Sequence, residues 1–181
     1  MRLLRTLVFT LFALPCALAA PQNAQSPPAA VLPPVTAYAL NRAKVTLPTD
    51  FDAPLNLLIL FFQRDQQSVV EGWLPVVTPG TVPTVHTWVL PISPRANGLY
   101  KWWLNASLRG SLSPSQPRRY TVPLYVDKAK FLRSLQVSSE QEVVLLLTDK
   151  AGHVLWRTAG AMTDTKKSAL NSFVMKSAAR Q

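Results

Sequence analysis

The sequence predicts an α/β domain in which helices cover both faces of a central mixed sheet. Two apolar runs, Leu55–Phe62 and Glu142–Thr148, lack polar alternation, which is typical of strands buried on both faces. Helical patterns separate the predicted strands, and the turn at Asp149–Gly152 indicates that the last two strands form an antiparallel pair.

The first half of the predicted domain contains a hairpin and a helix that follows the first buried strand. Short alternating runs predict a β-hairpin over Val35–Pro48. A helix is expected over Ser68–Val77, where Ser68 and Glu71 have the spacing of a capping box. Pro75 is expected to kink or end this helix.

The second half alternates strands and helices. Val85–Ile92 is a predicted strand, and Pro91 indicates that its end lies near a sheet margin. An amphipathic helix is predicted from Asp127, and the strand His153–Arg157 is expected to return beside the second buried strand. A last helix runs from Asp164 to about Lys176. The predicted buried residues of these two helices are Phe131, Leu132, Leu135, Leu170, Phe173 and Val174.

Residues 1–20 have the parts of a secretory signal peptide. Arg2 and Arg5 form a basic start, Leu7–Leu14 is mostly apolar, and Ala17–Ala19 fits a cleavage pattern. The apolar run is shorter than the roughly 20 residues that span a bilayer. We therefore expect an exported protein, periplasmic or secreted, with no transmembrane segment in its mature chain and with cleavage near Ala19 or Ala20. A lipid anchor on Cys16, a retained membrane anchor and an organelle-import peptide are the alternatives.

The rest of the chain divides into a tether and one domain. Residues 21–34 are rich in Pro and Ala and predict an extended, mobile tether, and residues 35–181 form the predicted domain. Cys16 is the only cysteine. Its loss with the signal peptide leaves no disulfide, thiolate metal site or cysteine nucleophile in the mature chain.

The order of predicted elements over Val35–Val174 resembles the thioredoxin-like superfamily, and two stretches carry the resemblance. Glu142–Gly160, EVVLLLTDKAGHVLWRTAG, is similar to the strand, turn and strand before the last helix in its peroxiredoxin-like and thiol-disulfide oxidoreductase-like branch. The mitochondrial ATP-synthase assembly factor family ends similarly. In Leu55–Pro75, the proline matches the helix-kinking proline that follows the CxxC motif of thioredoxins. The resemblance implies a thioredoxin-like sheet.

The same resemblance implies that the redox site has degenerated. Counting back from Pro75 gives the residues at the CxxC position, which are Gln67, Ser68, Val69 and Val70. The superfamily places a cis-proline just before the buried strand. The residues there are Ser138, Ser139, Glu140 and Gln141, with no proline. Loss of both halves implies a scaffold without thiol-disulfide chemistry.

A segment at about 98–120 combines aromatic and cationic side chains. Such combinations are good anchors at interfaces, so we interpret the segment as a candidate contact surface. The alternative is that its tryptophans cap the core. Its residues are Tyr100, Lys101, Trp102, Trp103, Arg109, Arg118 and Arg119.

Other chemistries have little support in the sequence. His86 and His153 lack the additional ligands of a metal site, so hydrogen-bonded or surface histidines are expected. Ser68 lacks the G-x-S-x-G elbow of hydrolases, and no G-x-G phosphate loop occurs. We expect no metal and no cofactor.

Charge indicates which partners are compatible with the chain. It has 19 basic and 9 acidic side chains, and loss of Arg2 and Arg5 leaves a formal charge of about +8. No block of like charges or nucleic-acid module occurs, so we expect a protein partner or an anionic envelope component rather than nucleic acid.

Three functions are compatible with these observations. The first is an exported binding or assembly protein on a redox-inactive scaffold. The second is an enzyme with a non-thiol site on the same fold, built from Arg64, Gln67 and Ser68. The third is a structural protein that basic charge holds at the cell envelope.

Overall fold

The computed structural model describes residues 30–77, 85–94 and 118–178. They form two sheets and three α-helices, and short 3-10 turns at Arg64–Gln66 and Leu74–Val77 flank the first helix. The elements in chain order are β1 (Val35–Tyr38), β2 (Lys44–Leu47), β3 (Leu55–Phe61), α1 (Gln67–Trp73), β4 (Val85–Pro94), β5 (Leu124–Val126), α2 (Lys128–Ser134), β6 (Val144–Asp149), β7 (Val154–Ala159) and α3 (Asp164–Ala178).

The main sheet has five strands in the order β5-β4-β3-β6-β7. Its parallel pairs are β3–β4 and β4–β5, and its antiparallel pairs are β3–β6 and β6–β7. A separate antiparallel hairpin joins β1 to β2. The predicted mixed sheet and N-terminal hairpin are therefore confirmed.

Strand β3 is central, and all seven of its residues are buried. Leu58 and Leu60 pack in one core with the N-terminal hairpin and α2, so we call this side the hairpin face. Leu57 and Ile59 pack in a second core with residues of α1 and α3, and we call this side the helix face. Helices therefore cover both faces, as predicted.

The predicted capping box of α1 is wrong. Ser68 is an exposed residue inside the helix, and the chain enters α1 through the 3-10 turn that ends at Gln66. This turn moves the start of the helix to Gln67, one residue before Ser68. The α-helix stops at Trp73, and a second 3-10 turn continues through Pro75 to Val77, so the predicted range is helical but changes type just before the proline.

The predicted strand Val85–Ile92 is longer than expected, and its end pairs with the edge strand β5, in agreement with the margin that Pro91 indicated. Strand β4 continues to Pro94, and Pro91 is buried. Pro91 is the last residue of β4 that is paired with β3, opposite Phe61, and Ile92 is the first that is paired with β5. The proline therefore lies between two ladders, where a missing N–H donor is tolerated.

The later elements follow the predicted pattern. Asp127 caps α2, since its carboxylate accepts a hydrogen bond from the Lys130 N–H at 3.1 Å. The three predicted core residues of α2 are buried, as are Leu170 and Val174 of α3, while Phe173 is half-buried. Strand β7 continues past Arg157 to Ala159.

Residues 30–34, at the end of the predicted tether, pack against the domain. Leu32 is buried, and its N–H donates to the Gly152 carbonyl at 2.9 Å. Val31 forms an antiparallel bridge with His153. Gly152 has a φ of +88°, which strains any other residue, and a Cβ there would lie 3.1 Å from Pro48 and 3.2 Å from Leu32, closer than most Cβ contacts. None of the helices in the described ranges is long and apolar enough to cross a membrane.

The central position of β3 predicts a large loss of stability on truncation. Leu58→Ala should lower the free energy of unfolding by about 2 to 5 kcal/mol, because it leaves a cavity in a fully buried core. Leu155→Ala is the control, since Leu155 is 40% exposed, and should change it by about 0.5 kcal/mol or less. Chemical denaturation followed by circular dichroism measures both, and equal losses would contradict this layering.

Candidate functional site

The residues predicted to occupy the CxxC position lie in the first turn of α1. Val70 is buried, Gln67 and Val69 are half-buried, and Ser68 is exposed. Arg64, in the preceding 3-10 turn, is exposed as well. The solvent-facing placement of Arg64 and Ser68 weighs against an enzyme site made from Arg64, Gln67 and Ser68.

Gln66 connects the start of α1 to the Ser138–Gln141 loop. Its Oε1 accepts hydrogen bonds from the N–H groups of Phe62, at 2.8 Å, and Gln63, at 3.3 Å. Its Nε2 donates to the Glu140 carbonyl at 2.9 Å. The side chain is buried, so these bonds satisfy both ends of its amide. We call this set of bonds the Gln66 clamp.

A second tie reaches the same loop from α2. The ammonium group of Lys128 forms an ion pair with the Glu140 carboxylate and lies 5.5 Å from the ring centroid of Phe62. The loop contains no proline. Among the described residues, the one cis peptide bond is Leu47–Pro48, after β2.

Trp73 of α1 fixes a third loop at this end of the sheet. Its buried indole N–H donates to the Gly160 carbonyl at 3.0 Å. Gly160 has a φ of +80°, and its N–H donates to the Val143 carbonyl at 2.8 Å. The loops after β3, before β6 and after β7 are therefore held together by hydrogen bonds.

A groove of about 360 Å³ opens beside Ser138 and Ser139, and we call it the β7 groove. Val144 and Ala159 are apolar residues of its lining, and Glu142 and Arg157 are charged ones. The guanidinium of Arg157 donates to the Gln136 carbonyl at 3.0 Å, so it reaches across to the loop that follows α2. The groove is thus built from the end of β7, the start of β6 and the loop between α2 and β6.

The aromatic and basic segment lies mostly outside the described residues. This applies to Tyr100, Lys101, Trp102, Trp103 and Arg109.

The two described arginines of that segment, Arg118 and Arg119, are exposed. The Arg119 guanidinium lies 4.7 Å from the ring centroid of Tyr120, whose ring meets Trp88 edge-on at 5.2 Å. Arg119 therefore lies on the ring of Tyr120, which in turn packs against the core residue Trp88. The interpretation of the segment as a contact surface stays a prediction.

Both histidines are hydrogen-bonded, as expected. His86 Nδ1 lies 2.5 Å from Asp52 Oδ1, and His153 Nδ1 lies 2.8 Å from Asp149 Oδ2. Within residues 30–77, 85–94 and 118–178, no three His, Cys, Asp or Glu side chains gather as metal ligands would.

The Asp149–His153 pair shifts the titration of the carboxyl group. Partial burial pushes the pKa of Asp149 upward. Three effects that lower the pKa of Asp149 outweigh this burial. They are hydrogen bonds from the side chain and backbone of His153, the charge of His153, and a hydrogen bond from the Ala151 N–H. The net result is a lowered pKa for Asp149, which therefore stabilises the β6–β7 turn as a carboxylate.

The comparisons with known proteins identify the class of fold. No protein-family model and no curated protein matches the chain. Among solved structures, the thioredoxin domain of a thiol-disulfide oxidoreductase from Bacteroides vulgatus is similar, at a TM-score of 0.54 and 17% identity, over 82% of this chain and 99% of that one. The chain therefore has a thioredoxin-like fold.

Two further structures are similar at low sequence identity. The exposed lipoprotein thioredoxin of Streptococcus pneumoniae strain TIGR4 has a TM-score of 0.54 and 12% identity, over 80% of this chain and 99% of that one. BsSco, a member of the Sco family of cytochrome c oxidase assembly proteins, has a TM-score of 0.55 and 12% identity, over 85% and 99%. At these identities the likeness shows the fold alone.

Sequence reasoning missed Gln66. Counting back from Pro75 assigned the CxxC position to Gln67–Val70, the four residues after Gln66. Gln66 itself is one of several similar polar residues in this stretch. Its one available signal was its position at the last residue before the predicted motif. Its hydrogen bond to the backbone of Glu140, 74 residues away, leaves no local pattern.

The clamp predicts a specific stability loss. Gln66→Ala should lower the free energy of unfolding by about 1 to 3 kcal/mol, because it leaves the Phe62 N–H and the Glu140 carbonyl without their partner. Amide hydrogen exchange at Phe62 should accelerate. Gln141→Ala is the control, because that side chain is exposed. Unchanged exchange at Phe62 in Gln66→Ala would contradict the clamp.

The Asp149 pKa predicts a defined pH dependence. A pKa below the ordinary value of 3.8 means that the carboxylate stabilises the fold above that pH and loses this effect as the pH falls through its folded pKa. Asp149→Asn should therefore be less stable than the parent above pH 4, and the gap should close on acidification. Asp65→Asn, at an exposed position, should show no such trend in unfolding curves from pH 2 to 7. A gap that widens toward acid would refute the assignment.

Proposed function

We propose that the chain is an exported binding or assembly protein that uses a thioredoxin-like scaffold without thiol chemistry. The observation that carries this proposal is the Gln66 clamp. It joins the start of α1 to the Ser138–Gln141 loop, where the resemblance implies the cis-proline position, through a neutral amide. The hydrogen bonds of this side-chain amide hold the two loops in place, and the amide has no redox chemistry.

The β7 groove is the surface that we assign to the partner. It lies beside the clamped loop, and apolar residues such as Val144 and Ala159 line it together with the charged groups of Glu142 and Arg157. Because the loops around it are tied by buried hydrogen bonds, binding there costs little conformational entropy. A rigid, mixed apolar and charged groove suits recognition of a protein segment.

Two neighbours support the class of function by analogy. One is described as an exposed lipoprotein thioredoxin and another as a member of a family of assembly proteins. Export of this chain rests on its predicted signal peptide in residues 1–20. The formal charge of about +8 that remains after loss of Arg2 and Arg5 suits an acidic partner or an anionic envelope component.

Site-specific crosslinking tests the proposal. A photo-crosslinking residue at position 138, in the groove, should capture a discrete partner from the exported fraction. The same residue at the exposed position 167 of α3 is the matched control and should not. The purified mature protein should also fail to reduce insulin disulfides.

Two outcomes would contradict the proposal. One is turnover of a substrate by the purified protein through a route that needs no thiol. The other is equal adduct formation at positions 138 and 167. Adducts at Trp102 or Trp103 in place of position 138 would move the contact surface from the groove to the aromatic and basic segment.

A further inference from the structure

Among the described residues, strand β7 is an edge strand with unused backbone groups. Its one neighbour in the five-stranded sheet is β6. The Gly160 N–H donates to the Val143 carbonyl, and Val144 is paired with Ala159. Because backbone groups alternate in direction along an antiparallel strand, those of Arg157 and Ala159 point to the outer side. The Ala159 carbonyl accepts a hydrogen bond from Lys166 Nζ at 2.6 Å. Three outward backbone groups then have no partner among the described residues: the Arg157 N–H, the Arg157 carbonyl and the Ala159 N–H.

The start of this edge already accepts an antiparallel segment. The Val154 N–H donates to the Ala30 carbonyl at 2.8 Å, and Val31 bridges His153. In the part of the chain that the structure describes, no strand pairs with the outer edge of β7 beyond this point. Upstream of Ala30, Pro27 and Pro28 lack the N–H groups that an added strand donates. A separate peptide is therefore the better occupant.

Charge defines which peptide this edge prefers. Arg157 lines the β7 groove, and it forms no ion pair with any described residue. Its hydrogen bond to the Gln136 carbonyl uses one of its five N–H donors. Glu142 lines the same groove, so an acidic side chain on a bound segment is drawn toward Arg157 and away from Glu142.

We propose that the outer edge of β7 at Arg157–Ala159 pairs with an extended segment of a partner protein, and that this segment places an acidic side chain against Arg157. The inference rests on the proposed binding function and gives it a partner chemistry. A second copy of this chain fits less well, because edge-to-edge pairing brings two Arg157 side chains into one short stretch. Addition of a strand to an open sheet edge supplies backbone hydrogen bonds, and the charge pair supplies selectivity.

Capped peptides test both parts of the proposal. The probe is a hexapeptide of alternating valine and threonine with one central aspartate. One matched peptide has asparagine in that place, and another has N-methylated backbone amides on the pairing side. We expect the aspartate peptide to bind the mature protein about 5- to 10-fold more tightly than the asparagine peptide, because a hydrogen bond between charged groups is lost in the latter. The N-methylated peptide should not bind.

Variants of the protein locate the effect. Arg157→Gln should remove the preference for aspartate, while Lys167→Gln, an equal charge loss on α3, should keep it. Ala159→Pro removes one outward N–H and should weaken all the peptides, because proline is tolerated on the outer side of an edge strand. Fluorescence polarisation measures each affinity, and circular dichroism verifies folding. If Ala159→Pro does not fold, the N-methylated peptide tests the same bond.

Several results would overturn the proposal. Equal affinity for the aspartate and asparagine peptides would remove the role of Arg157. Binding of the N-methylated peptide would remove the role of the edge. Dimerisation of the mature protein that Ala159→Pro abolishes would identify a second copy as the occupant. If crosslinking at position 138 captures a partner while no peptide binds, the binding function stands and this inference fails.

Discussion

Burial of β3 on both faces is the constraint on which the rest of the structure depends. A strand with no exposed residue requires an apolar layer on each side, and the chain supplies these layers differently. On the helix face, Trp73 of α1 and Leu170 of α3 pack against the sheet. On the hairpin face, α2 is short, and Leu47 and Phe51 from the N-terminal region complete the core. The hairpin is thus part of the core.

The different covers of the two sheet faces explain the position of the β7 groove. The hairpin face is covered by the hairpin and α2, whose residues share one core with β3 and β4. The loop after α2 reaches β7 through the bond from Arg157 to the Gln136 carbonyl. Beside that contact, Val144 and Ala159 line an open space. The β7 groove therefore lies where the hairpin and α2 no longer cover the sheet, close to loops that the Gln66 clamp holds in place.

The sequence predicted features that depend on local patterns. The apolar run of β3, the break in the helix near Pro75 and the start of a helix at Asp127 each follow from the chemistry of a few neighbouring residues. The role of Gln66 and the full length of β4 were not predicted, because both depend on distant partners. Gln66 bonds to Glu140, and Pro91 marks the point where β4 changes from one neighbouring strand to another.

The attachment of residues 30–34 has a consequence for the timing of folding. Leu32 hydrogen-bonds to Gly152 and packs beside it, so residues 30–34 bind to residues made about 120 positions later. Contacts of such long sequence separation form slowly and only after the intervening chain exists. The hairpin face therefore cannot be completed until the β6–β7 turn has been synthesised. A nascent chain that ends before this turn lacks the partner that holds residues 30–34 against the domain.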